Sequence, residues 1–334
     1  MAKSTGKSPP RKAGSGQRRK PAPSPIDPEK VAAAKAAKRA EAEAAAARRA
    51  AQAARLARKK RQRTLAYGAI GLVLLVIAGL IAVKLVHKPA ADTGSGIQAA
   101  DPAVVAQITG IPASVLDKVG DGGFLPDFRL PVGNPPPPPL VDGGLARVLY
   151  AGGLFCPFCA TQRWPMVVAL SRFGTFQGLR FARSATQGET VQNIHTFSFS
   201  GVTYTSSYLS FTAYETTDRN HKQLDQLSPA DATLVNTLDN QPTLPSGTTA
   251  GTIPFVDIGN RWVLAGASYS ATDLQGKTWA QIASAASSGT GPGKNLDATA
   301  NWITAALCKV TGNKPASVCS DPVIAGLETR LPVQ

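Results

Sequence analysis

Cys156-Pro157-Phe158-Cys159 sets two thiols two residues apart. That spacing suits a dithiol redox pair, half of a zinc knuckle or a plain structural disulfide. The flanks help to choose. Leu145 to Ala151 is a short apolar run that reads as a buried strand. After the pair, Met166, Val167, Leu170 and Phe173 recur at helical spacing, and Gly174 follows as a stop. The pair is therefore expected at a strand-to-helix junction. Pro157 would take the first helical position, where its missing N–H costs nothing. The first N–H groups of a helix have no internal partner and carry the positive end of the dipole. A thiolate at Cys156 would be favoured there, and the thiolate is the attacking species in disulfide exchange. Cys159, one turn in, is positioned to resolve a mixed disulfide formed at Cys156. A zinc site needs about four ligands. The remaining cysteines, Cys308 and Cys319, are spaced too widely for a knuckle, and the 3 histidines are scattered at 87, 195 and 221. No metal is expected. The redox reading is favoured; a structural disulfide and a zinc half-site stay open.

A second stretch supports the first. Thr252 to Ile258 reads as a short strand that begins at Ile253-Pro254. Thioredoxin-like folds open such a strand with a cis proline facing the cysteine pair. Cis X-Pro bonds are a minority state, so the isomer is not legible in the sequence. On this pattern Ile253, Pro254, Pro157 and Phe158 form the substrate-binding group around catalytic Cys156 and Cys159. Phe155 and Phe158 read equally as core residues or as an apolar rim for an extended or unfolded substrate. His195 and His221 read as ordinary strand and loop residues. No acid or histidine adjoins the pair in sequence. Glu189, Glu215 and Asp257 are proton-transfer candidates only if the fold brings them close.

All four cysteines lie beyond residue 150, an even number that fits an oxidising compartment. Cys308 and Cys319 are expected to form a structural disulfide at the end of the last helix, worth about 3 kcal/mol in the loop-entropy model. A second redox or relay pair is the alternative.

The net charge of +15 suggests nucleic acid until it is located. Residues 1–64 carry 19 Lys and Arg against 4 Asp and Glu; the rest carries 17 of each. Nucleic acid is therefore not an expected partner of the folded part. Residues 1–26 read as a disordered basic tail. Residues 27–63, opened by Asp27-Pro28-Glu29 and rich in Ala, Lys, Arg and Glu, read as a charged, solvated helix. Residues 64–86 hold an uncharged run from Leu65 to Val83 and read as a single transmembrane helix. The basic cluster before it puts the N-terminus in the cytoplasm and the C-terminal domain outside the cell membrane. The basic arm is read as a topology determinant in contact with anionic lipid headgroups. Nucleic-acid or ribosome binding and a bare helical spacer are its alternatives.

Residues 87–144 read as a tether. Asp101-Pro102 opens a short helix that Ile111-Pro112 breaks and Gly120 to Gly123 ends, and Pro135 to Pro139 is a stiff spacer. The domain proper is expected over 145–326. Within it, residues 194–216 alternate around Gly201 like a hairpin, and Gly259-Asn260 joins a second hairpin. Ser287 to Lys294 reads as a loop before a terminal helix over Asp297 to Val310.

Several stretches together are similar to the signature of a thioredoxin-like family catalogued as domain of unknown function 929. They are Tyr150, Cys156-Pro-Phe-Cys-Ala160, Arg163-Trp164 and Ala169 to Gly174, then Thr196 to Phe199, Tyr204-Thr-Ser206, Pro254 to Asn260, Cys308 to Gly312 and Cys319. The resemblance covers roughly residues 100–325. It implies a membrane-tethered thioredoxin-like protein with the cysteine pair, and no particular substrate. Pro165 is a departure that should kink the active-site helix.

The expected fold is thus α/β and thioredoxin-like. A β-rich insertion separates the active-site helix from the cis-proline strand, and a single transmembrane helix precedes the whole. The expected function is a membrane-anchored extracytoplasmic thiol–disulfide oxidoreductase. Its partners would be protein thiols and disulfides of the envelope and a membrane or secreted redox partner. The dithiol is itself the redox centre, so no cofactor is expected. The rival is a non-catalytic envelope assembly module with structural disulfides on the same scaffold.

Overall fold

The computed structural model describes Lys35, Arg39, Glu43 and residues 94–131, 136–239 and 251–333. The chain divides into two units, Met1–Lys88 and Pro89–Gln334. In the first, Lys35, Arg39 and Glu43 are helical and exposed. The rest of the charged helix expected over 27–63, and all of the span expected over 64–86, lie outside the described residues. Among the described residues no helix is long and apolar enough to cross a membrane.

The second unit is mixed α/β. In chain order its elements begin β1 (Gln98–Ala99), α1 (Pro102–Thr109), α2 (Ala113–Val119), β2 (Val141–Asp142), β3 (Leu145–Gly152), α3 (Pro157–Ser171), β4 (Gly174–Gln177), β5 (Arg180–Arg183) and β6 (His195–Ser198). They continue β7 (Thr203–Ser206), β8 (Leu209–Glu215), α4 (Pro229–Asp239), β9 (Phe255–Ile258), β10 (Trp262–Ala265), α5 (Trp279–Ser288), α6 (Pro292–Val310), α7 (Ala316–Cys319) and α8 (Pro322–Glu328).

The strand before the cysteines is the centre of the sheet. Along β3, β8 runs parallel, pairing Ala146 with Leu209 through Gly152 with Glu215. On the other edge β9 runs antiparallel, and β10 follows β9. From Val148 to Gly152 every residue is buried. That agrees with the unbroken apolar run, because a strand covered on both faces need not alternate. The β9–β10 hairpin forms as expected. Gly259 and Asn260 both take positive φ, and the Asp257 carboxylate accepts the Asn260 N–H at 2.8 Å.

Helix α3 is buried from Cys159 through Leu170. Its apolar stripe at 166, 167, 170 and 173 is therefore only part of the buried surface. Pro165 lies within the helix and cannot donate to the Thr161 carbonyl. The Tyr269 hydroxyl donates to that carbonyl instead, at 3.2 Å.

Three expectations meet a different outcome. Residues 194–216 do not form a hairpin: β6 pairs with β5, and β7 pairs with β4 in a separate sheet. Alternation marks strands there but does not name their partners. Helix α6 begins at Pro292, not Asp297. Gly293, which reads as loop, is helical, and it must be glycine because a Cβ there would sit 2.1 Å from the Ala285 carbonyl oxygen of α5. Finally, the segment read as a tether carries core. Its helices open and close where Asp101, Pro112 and Gly120 imply, yet Val104, Ile108 and Leu116 join the main hydrophobic cluster, and β1 pairs with β5.

Candidate functional site

The cysteine pair follows β3 through the turn Gly152 to Phe155, which is tied down on both sides. Thr216 N–H donates to the Gly152 carbonyl at 2.7 Å, and Leu154 N–H donates to Thr217 at 2.8 Å. Gly152 has no room for a side chain: a Cβ would lie 2.3 Å from the Tyr150 hydroxyl and 3.1 Å from the Cys159 sulfur.

Cys156 is the N-cap of α3 in extended conformation, with Pro157 at the first helical position. Its Sγ accepts the Cys159 N–H at 3.3 Å, and its thiol donates weakly to the Ile253 carbonyl at 3.7 Å. Both thiols are free. Ile253–Pro254 is cis. The structure thus brings Cys156, Cys159, Pro157 and Ile253–Pro254 together, with Phe158 beside them at 42% exposure. Of the two phenylalanines, Phe158 is the exposed one. Phe155 is half-buried and packs on the His221 ring, centroids 4.1 Å apart.

The two sulfurs differ electrostatically. The hydrogen bond from the Cys159 side chain pulls the Cys156 thiol below its ordinary range; the Cys159 N–H and the Arg163 charge add to this, against partial desolvation. Burial pushes the Cys159 thiol well above that range. One residue of the pair is set up to hold negative charge first.

Behind the pair lies a buried ion pair that sequence reasoning missed. The Arg163 guanidinium donates to both Glu215 oxygens, at 2.7 and 2.6 Å, and to the Gly153 carbonyl at 2.8 Å. Both side chains are fully buried. Of the proton-transfer candidates, Glu215 is the one that reaches this region, and Arg163 already holds both its oxygens. Burial pushes its carboxyl up, while the guanidinium opposes that. Asp257 pairs across the sheet with Leu149 and caps the hairpin turn. The Glu189 carbonyl accepts from Gln192 in the loop after β5. The signals available for Arg163 were its place in the family resemblance and a cation four residues after Cys159 in an otherwise uncharged helix.

Cys308 and Cys319 form a disulfide with Cα atoms 5.5 Å apart, at the C-terminal end of α6. Among the described residues no cluster of three or more His, Cys, Asp or Glu side chains could hold a metal ion.

The sequence profile of a family described as Domain of unknown function (DUF929) matches residues 137–309, just over half of the chain. No curated protein matches the chain. No solved structure matches it.

Proposed function

The chain belongs to the domain of unknown function 929 family, and from that footing we propose that it is a thioredoxin-like thiol–disulfide oxidoreductase working through Cys156 and Cys159. The observation that carries this is the asymmetry of the pair. Cys156 caps a helix N-terminus and receives an N–H, while Cys159 is sealed one turn deeper. A purely structural pair has no use for that difference. The order β8–β3–β9–β10 around the strand that precedes the pair supports a thioredoxin-like arrangement. So does the Ile253 carbonyl beside Cys156.

In the reducing direction, the Cys156 thiolate attacks a substrate disulfide. One new sulfur–sulfur bond forms to Cys156, and one substrate sulfur leaves as a thiolate. Cys159 then gives up its proton and attacks the Cys156 sulfur. The Cys156–Cys159 disulfide forms and the second substrate sulfur leaves, taking up a proton from solvent. Two electrons pass from the dithiol to the substrate. The reverse sequence oxidises a substrate dithiol. Extended substrate would lie along Ile253–Pro254 and against the exposed Phe158 ring.

The uncharged run from Leu65 to Val83 and the basic residues before it support an anchor in the cell membrane with this domain outside. Envelope proteins would then be the substrates, and anionic headgroups the contact of the basic arm.

Trapping tests the proposal. A Cys159→Ser chain should accumulate mixed disulfides with envelope proteins, because nothing remains to resolve them, and Cys156→Ser should accumulate none. If neither variant traps a partner, the assembly-module reading takes its place.

A further inference from the structure

The resolving step poses a problem of its own. Cys159 is 0% exposed, and it must shed a proton before it can attack. A bare thiolate at that depth is costly unless a donor or a cation meets it. The nearby acid does not solve this, because both Glu215 oxygens are already held by Arg163.

Two other buried groups remain available. The Tyr150 hydroxyl is fully buried and has no hydrogen-bond partner among the described residues. It borders the same small space over Gly152 as the Cys159 sulfur. An unsatisfied buried hydroxyl is normally selected against, so one aimed at this space points to a charge that appears only during turnover. Arg163 lies one helical turn beyond Cys159, and its Nη1 is likewise buried without a partner among the described residues. Its charge lies 5.8 Å from the Tyr150 ring centroid.

We propose that Tyr150 and Arg163 are positioning residues for the resolving thiol: the Tyr150 hydroxyl donates to the Cys159 sulfur as it becomes a thiolate, and Arg163, clamped by Glu215, supplies the positive field. This rests on the oxidoreductase reading above. The proton of Cys159 leaves to solvent, and the departing substrate thiolate takes one up, so no further co-reactant is needed. The titratable and charged groups around Cys159 are Cys156 and Arg163 from α3 and Tyr150 from β3, and Glu215 from β8 reaches Tyr150 and Arg163. The Arg163 charge opposes the upward push of burial on Cys159.

The test uses the full-length chain with its Cys156–glutathione mixed disulfide, and follows glutathione release by Cys159. Tyr150→Phe removes only a hydroxyl that lacks a partner, so the fold should be unharmed. Release should slow about tenfold, and the alkylation midpoint of Cys159 in a Cys156→Ser background should rise by about one unit. A tyrosine that merely fills the core would leave both readouts unchanged, and that result overturns the inference while normal release by the unmodified chain leaves the oxidoreductase reading standing. If the unmodified chain releases no glutathione at all, the oxidoreductase reading itself fails. Glu215→Gln separates the remaining roles. With the counter-charge gone the Cys159 midpoint should fall. A rise would hand the proton to Glu215 and overturn the assignment.

Discussion

The two cysteine pairs lie equally deep and differ in almost everything else. Cys156 and Cys159 are 5% and 0% exposed, Cys308 and Cys319 0% and 4%, so burial does not separate them. Their places on helices do. The first pair straddles a helix N-terminus, where free N–H groups and the dipole favour negative charge on sulfur. The second ties the C-terminal end of α6 to α7. There the Cys308 carbonyl accepts from Asn313 N–H at 2.7 Å, and the bond closes a short loop. The first pair has free thiols beside a cis-proline strand and an exposed aromatic ring; the second is a disulfide within the main core cluster. Residue type and depth say little about a cysteine's task. The end of the helix it occupies, and what reaches its sulfur, say more.

Removing the second pair should break the comparison most visibly. Replacing both Cys308 and Cys319 with Ser should cost about 3 kcal/mol. For a domain of this size that lowers the melting temperature by about 6 to 12 °C. Exchange at Cys156 should be unchanged. Loss of exchange in a still-folded double variant would make the second pair a relay and erase the contrast.

A smaller effect sharpens the first pair. The folded value of Cys156 is depressed and that of Cys159 is raised. Alkylation of the reduced protein should therefore modify Cys156 first, with a midpoint below the free thiol value of about 8.5. For a depressed group, the stabilisation is fully present above the unfolded value. It fades as pH falls through the folded one. An ordinary or raised midpoint at Cys156 would remove the asymmetry on which the proposed chemistry rests.

The sequence disclosed whatever is local. Pro157 at the first helical position, the apolar run of β3 and the Gly259-Asn260 turn each follow from a few adjacent residues, and each forms as read. Partners distant in the chain were disclosed only where a motif names them, as Ile253-Pro254 for Cys156. Arg163 and Glu215 lie 52 positions apart. Nothing at either residue announces the other, because a lone charge in an apolar helix and an acid ending a strand are both ordinary alone. The strands around Gly201 alternate correctly but join different sheets, since alternation fixes a face and not a neighbour. Val104 and Ile108 lie in a segment that reads as a tether, yet they are part of the core. They belong to it because α1 packs against α5 and α3. Gly293 is the same lesson in reverse: a residue that signals loop by itself is required inside α6 by the backbone of α5.

The most direct test is the reduction potential of each pair in the same full-length chain. The chain would be equilibrated in glutathione and dithiothreitol buffers, quenched by alkylation and read by peptide mass. The account predicts a Cys156–Cys159 potential above about −300 mV and a Cys308–Cys319 potential below it. Both pairs below that value, or the reverse order, would contradict it.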